Sequence, residues 1–293
     1  MSILVNRNTI AICQGMTGNQ GTIHSIKAMQ YGVKLIGGIT PGKGNKNHLG
    51  LPIFDNVKEI TKFIKVDASI IYVPAEFAKE AIIDSIQCGI KIIICITEGI
   101  PILDMVIVKH YLLKKNIFFL GPNSPGIITP GECKLGIMPG NIYKKGAIGI
   151  ISRSGTLTYE VVKFINDVNL GQSTCIGIGG DKISGCDYID LLKLFEKDKE
   201  TKCIIMIGEI GGIAEEEAAE YIKAYIKKPV IAYIAGIQAP INKKMGHANA
   251  IIEGKKDYSG YAKFKIKKLQ KSGVLTLRFI SDVKNILRNI FFL

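Results

Sequence analysis

Residues 9–21 run TIAICQGMTGNQG, an apolar stretch of strand length that breaks into a turn holding Gly15, Gly18 and Gly21. A short run rich in isoleucine predicts a strand over 9–13, and the glycines let the backbone turn tightly into a helix that follows Gly21. Working outward, the same alternation repeats. Strands are predicted at 34–39, 68–73, 91–96 and 117–120, with helical stretches at 56–64, 75–87 and 102–114 between them. Strand and helix in strict alternation imply a parallel sheet with helices on both faces.

Two turn-rich segments, GPNSPG at 121–126 and TPGE at 129–132, interrupt the pattern. Clustered glycine and proline end regular structure, which puts a domain boundary between about 121 and 146. The alternation then restarts. Strands read at 147–151, 173–178, 202–207 and 229–234, helices at 156–168, 188–195 and 214–226, and two more helices follow near the C-terminus. The fold class is α/β, with two doubly wound units. The 293 residues, 47% hydrophobic and 22% charged, agree with two domains at roughly 100–200 residues each.

The formal net charge of +13 raises a nucleic-acid reading. The lysines are spread along the chain, and the densest stretch, 263–271, alternates with Phe264, Ile266 and Leu269. That pattern is the solvated face of an amphipathic helix, so no nucleic acid is expected. Some of the charge would help attract an anionic cofactor. The seven cysteines are scattered without a CxxC pair, as free thiols in a reducing compartment are. No apolar run approaches the ~20 residues of a membrane span, and residues 1–8 lack the pattern of a secretion signal. A cytoplasmic protein is expected.

The first glycine-rich loop opens a helix whose unpaired N–H groups suit phosphate. Its spacing is GxxGxxG, unlike the GxGxxG of dinucleotide dehydrogenases. The second strand ends in TPGKG at 40–44, where a unit binding NAD carries an acidic residue. Lys43 instead suits a phosphorylated ribose, as in coenzyme A or NADP. The fourth strand ends at Ile96–Glu98, where Thr97 and Glu98 would face the same crevice as Thr17 to Gln20 or simply cap the next helix. In the second half, SRSGTLTYE at 152–160 puts hydroxyls and a glycine at a helix start, which reads as an anion site or an ordinary cap. GEIGG at 208–212 sets Glu209 between glycines at a strand end, and Glu215, Glu216 and Glu217 read as a solvated first turn. His247, one of four histidines, lies in the loop KKMGHA at 243–248. No histidine or cysteine pattern suggests a metal site.

Seven motifs, GMTGNQGT (15–22), TPGKG (40–44), ITEGIP (96–101), GPNSPG (121–126), SRSGTLTYE (152–160), GEIGG (208–212) and KKMGHA (243–248), resemble in order those of succinyl-CoA synthetase α subunits. The resemblance implies a Rossmann-like coenzyme A-binding unit at 1–125, a linker at 126–146 and a flavodoxin-like ligase unit at 147–293. It implies coenzyme A contacts at Thr17, Gly18, Asn19, Gln20, Lys43, Ile96, Thr97 and Glu98, and the carboxylate substrate at Tyr159. His247 would become phosphohistidine, Glu209 would orient its ring, and Ser154, Gly155 and Thr156 would hold the phosphoryl group. The reaction implied is the reversible ligation of succinate and coenzyme A, a step of the tricarboxylic acid cycle. Mg²⁺ with ATP or GTP would sit on a β subunit of ATP-grasp fold, in an αβ or α2β2 assembly.

The chain departs from the family at Ser124, where many relatives have cysteine, at Asn249 in place of a glycine, and at 254–257. Three alternatives stay open at this stage. One is a related dicarboxylate ligase acting on malate, another a catalytically impaired coenzyme A-binding module, and the third an NADP-linked reductase.

Overall fold

A computed structural model describes residues 2–243, 245–247, 249–252 and 258–292. Two α/β units follow one another, each built on a sheet of mixed direction.

In the first unit the chain forms β1 (Ile10–Gln14), α1 (Asn19–Gln30), β2 (Lys34–Ile39), β3 (Lys46–His48), β4 (Leu51–Phe54), α2 (Val57–Thr61), β5 (Ala68–Ile71), α3 (Ala75–Gln87), β6 (Ile92–Cys95), α4 (Ile102–Leu112) and β7 (Phe118–Leu120). The sheet order is β3-β4-β2-β1-β5-β6-β7. The order reverses beside β1, so β1 and β5 feed their following loops to one crevice, the usual place for a ligand in such sheets. β5 and β6 are buried along their whole length, which explains why they read as unbroken apolar runs. On α3 the buried positions are Ala78, Ile82, Ser85 and Ile86, one helical face against the sheet. Gln14 crosses this packing, its amide donating to the Ser69 and Ser85 hydroxyls and the Ala81 carbonyl at 2.8–2.9 Å.

The second unit comprises β8 (Gly126–Thr129), β9 (Cys133–Gly136), β10 (Lys145–Ser152), α5 (Gly155–Asp167), β11 (Gln172–Gly177), α6 (Tyr188–Lys197), β12 (Cys203–Glu209), α7 (Ala214–Tyr225), β13 (Val230–Ala235), α8 (Ala262–Lys271), β14 (Leu275–Thr276) and α9 (Val283–Phe291). Its sheet order is β14-β13-β12-β10-β11-β8-β9. β10, β11, β12 and β13 are parallel, and the carboxyl end of β10 runs into Arg153 and Gly155, which share a cavity with residues of the first unit.

Two expectations need correction. The sheets are not wholly parallel, because β3 pairs antiparallel with β4, and β8 with both β9 and β11. The reason for the first is local: Leu49 and Gly50, both at positive φ, make a two-residue hairpin, and a tight turn cannot join parallel strands. The segment 126–146, expected as a linker, carries β8, β9 and the start of β10, so it is part of the second sheet. One apolar cluster runs through both units, from Ala11, Leu35 and Ile94 to Ile151, Ile176 and Ile204. Main-chain hydrogen bonds from Gly185 to Gly121 and from Cys186 to Phe119, at 2.9 and 2.7 Å, fasten the units together.

Candidate active site

β1 leads into Gly15, whose φ of +79° turns the chain towards α1. A side chain at Gly21 would strike the Gly15 carbonyl, so only glycine lets α1 start this close to the turn. Gly18 caps α1 without a side-chain bond, and no acidic residue lies in the first turn. The helix therefore keeps a positive, donor-rich end. Thr17, Gly18 and Lys43 line a cavity of about 630 Å³ with Thr40, Tyr72, Val73 and Phe77. The Lys43 ammonium donates to the Thr17 hydroxyl at 3.1 Å.

A second cavity, of about 510 Å³, shares Tyr72, Val73 and Pro74 with the first. Gln20, Ile96, Thr97 and Glu98 reach it from the first unit, and Arg153, Gly155 and His247 from the second. All the predicted ligand residues but Asn19 thus divide between two adjoining cavities. Thr97 is held by its hydroxyl, which donates to the Val73 carbonyl at 2.6 Å. Asn19 is exposed and lines neither chamber. His24, on the same face of α1 as Gln20, stacks on Tyr72 with centroids 5.6 Å apart. Burial, with Lys134 and Lys27 nearby, pushes its pKa down to about 4, so its ring is neutral.

His247 is half-buried, and its Nδ1–H donates to Glu209 Oε2 at 2.7 Å. A carboxylate can only accept, which fixes the proton on Nδ1 and leaves Nε2 its lone pair. The bond to Glu209 raises the imidazole above the ordinary histidine range, Asp181 adds to the rise, and partial burial and Arg153 oppose it. Gly180 lets the ring pack, since a Cβ there would lie 2.6 Å from His247 Cγ. Asn249, the departure two residues on, is accommodated: its N–H donates to Gly180 O at 3.3 Å and its side chain lies over the Gly212 backbone. Residues 254–257 fall outside the described residues, as do Lys244 and Ala248 of the histidine motif.

At α5, Ser154 is an N-cap whose hydroxyl accepts from Leu157 N–H at 3.3 Å. Thr156 is exposed, with its hydroxyl 3.4 Å from that of Ser154, and of the three predicted phosphate residues Gly155 lines the cavity. Tyr159 packs on the second unit's core, its hydroxyl 3.8 Å from the Cβ position of Gly155. Ser124 is buried, donating to Gly177 O at 2.7 Å and accepting from Gly126 N–H at 2.9 Å, so it knits the junction between units.

Sequence reasoning missed a buried charge network behind the histidine. Glu215 and Glu216, expected in solvent, are 0% and 3% exposed, and only Glu217 of the three is exposed. Lys265, expected on a solvated face, is 0% exposed. Its ammonium bonds Glu215 and the Gly211 carbonyl and lies 3.5 Å from Glu216. Burial alone would raise the Glu215 carboxyl, yet Lys265 and Arg153 bring it below the usual range. Asn123 Nδ2 donates to Asp181 Oδ1 at 3.2 Å on the cavity wall. The only sequence signal for Arg153 was its place between a strand end and the hydroxyl cluster.

Two family patterns match, one described as a CoA binding domain at residues 6–99 and one as CoA-ligase at 151–275. The chain is 52% identical over 279 residues to the succinate–CoA ligase (ADP-forming) subunit alpha of Aquifex aeolicus, covering 94% of this chain and 90% of that one. The subunit of the same name from Staphylococcus aureus is 49% identical over 283 residues, covering 97% and 93%. In fold, the chain matches ATP citrate lyase from Methanothrix soehngenii in complex with citrate and coenzyme A, with a TM-score of 0.88, 22% identity and 99% of this chain covered. It also matches a dinucleotide-forming acetyl-coenzyme A synthetase of Ca. Korarchaeum cryptofilum, with a TM-score of 0.76, 23% identity and 97% of this chain covered. This chain spans 50% and 61% of those two longer chains, and the likeness is one of fold.

Proposed function

The chain belongs to the family of succinate–CoA ligase (ADP-forming) α subunits, and from that premise we propose that His247 relays phosphate between a nucleotide and an acid beside bound coenzyme A. The observation that carries this reading is the pairing of His247 with Glu209 on the wall of a cavity that Gln20 and Ile96–Glu98 also line. Coenzyme A enters with its phosphates at the α1 N-terminus and Lys43, and its pantetheine arm passes Val73 and Pro74 towards His247. Thr17, Gly18, Gln20, Lys43, Ile96, Thr97 and Glu98 form its path, with Asn19 exposed beside it at the start of α1.

In the thioester-forming direction, His247 Nε2 attacks the γ-phosphorus of a nucleoside triphosphate, and the bond to the departing diphosphate breaks. Glu209 holds the Nδ1 proton and offsets the positive charge that develops on the ring. The N–H groups of Gly155 and Thr156, with the Ser154 hydroxyl beside them, receive the transferred phosphoryl group at a helix N-terminus. A carboxylate of succinate, near Tyr159, then attacks phosphorus and the N–P bond breaks, giving succinyl phosphate. The sulfur of coenzyme A attacks the acyl carbon and expels phosphate. On this reading the nucleotide and its Mg²⁺ are held by a β subunit of ATP-grasp fold, a reading supported by the membership of the chain in a family of α subunits.

The test is turnover by the chain purified with its β subunit. Thioester formation is expected to require succinate, coenzyme A and nucleoside triphosphate together, and His247→Asn is expected to abolish it. Sustained thioester formation by His247→Asn would overturn the reading.

A further inference from the structure

The relay needs Glu209 in one orientation, yet only one of its oxygens is held by a hydrogen bond. Oε2 accepts from His247, while Oε1 is buried and has no hydrogen-bond donor among the described residues. Facing Oε1 at 3.9 Å is Nη1 of Arg153. Arg153 is 6% exposed, and it lines the same cavity as His247 and Gly155. Its Nε lies 3.4 Å from Glu215 Oε1. Glu215 in turn bonds Lys265, accepts from the Glu209 backbone N–H at 3.3 Å, and lies 3.5 Å from the Tyr188 hydroxyl.

We infer that Arg153 is a positioning residue for the relay: set beside the buried Glu215–Lys265 pair, its guanidinium keeps Glu209 turned towards His247. This rests on His247 being the phosphoryl acceptor. A guanidinium fits because its fork presents donors in fixed directions, so one group can face two carboxylates. Oε1 has no hydrogen-bond donor of its own among the described residues, so without the cation facing it the carboxylate is held less firmly against the imidazole. The buried pair explains how the guanidinium itself is held. Lys265 arrives on α8 and bonds the Gly211 carbonyl, fixing Glu215 at the start of α7 directly behind the strand end that bears Glu209.

The groups acting on the His247 ring come from three elements: Glu209 at the end of β12, Asp181 in the loop after β11, and Arg153 between β10 and α5. Glu209 and Asp181 favour the protonated ring, whereas Arg153 opposes it. Losing Arg153 therefore does two separable things. It frees Glu209, which slows phosphorylation, and it lets the ring hold its proton to higher pH.

The experiment is the rate of His247 labelling by γ-labelled ATP in the complex with the β subunit, followed across the neutral pH range for native, R153M and R153K proteins. R153M is expected to label about 10- to 100-fold more slowly, the cost usual for removing a group that orients a functional histidine. Its pH midpoint is expected to move upward. R153K, which keeps the charge but not the fork, is expected to label slowly with an unmoved midpoint. A native rate in R153M overturns the inference, and so does a slow R153M with the native midpoint, which marks a merely structural role. Should R153M not assemble, R153K decides: slow labelling supports the inference and native labelling overturns it. Absence of label in the native complex would instead count against the relay itself.

Discussion

Glu209→Gln keeps the shape of the side chain and removes the charge, so it isolates what the carboxylate does for His247. The amide can still accept from Nδ1–H, but it cannot offset the positive charge on the ring during attack. The expected outcome is phosphorylation about 100-fold slower or worse. The pH dependence has a definite sign. Glu209 is the main cause of the raised His247 pKa, and the neutral ring is the nucleophile, so native labelling rises as pH climbs through that raised value. Glu209→Gln should shift the rising limb to lower pH while depressing the plateau, opposite in direction to R153M. Labelling rates measured across pH for both variants check this. At this scale the sequence was only partly legible. Glu209 stands between glycines at the end of β12 and His247 in a glycine-flanked loop, and these positions drew notice in the sequence. Lys265 and Glu215 were misread because a lysine-rich helix and a glutamate-rich first turn look the same whether solvated or paired across an interface. Only the packing of α8 on the turn at 208–212 separates the two.

Among elements, the junction between β1 and α1 has the least room to vary. Gly21→Ala puts a methyl group against the Gly15 carbonyl, and backbone cannot yield as a flexible side chain can. Overpacking of this kind costs about 1–3 kcal/mol. Because the displaced groups are those of the Thr17–Gln20 turn, the KM for coenzyme A should rise, with the KM for nucleoside triphosphate unmoved. Denaturation and steady-state kinetics on the Gly21→Ala complex give both numbers, and an unchanged KM for coenzyme A would detach this turn from that ligand. The long elements were legible because their burial is simple. β5, β6 and β12 are buried throughout and read as continuous apolar runs, and α3 shows its buried face at helical spacing. The short ones were hidden. β3 and β4 have three and four residues, with Pro52 inside β4, and β14 has two. β8 and β9 lie in a segment whose glycines and prolines suggest only turns, yet both strands are buried against the second sheet.

Over the whole molecule, the two units matter for what they bring to one place. The first supplies Gln20 of α1 and the end of β6, the second the histidine and the start of α5, and one cavity touches all of them. A shared apolar cluster and the hydrogen bonds at 119–121 with 185–186 hold that geometry. The restart of strand and helix after 146 gave notice of a second unit but not that its sheet begins at β8, and the cavity between the units was hidden, since its lining draws on residues up to 227 positions apart, from Gln20 to His247. On the proposed reading the nucleotide is held by the β subunit, so phosphate should reach His247 only when that subunit is present. The most direct measurement is to incubate the chain with γ-labelled ATP and Mg²⁺, with and without that subunit, and to map the bound phosphate by peptide. The account predicts acid-labile, base-stable label on His247 in the complex, none on the chain alone or on His247→Asn, and discharge by succinate with coenzyme A. Label at another residue, or a label on His247 that succinate and coenzyme A cannot discharge, would contradict it.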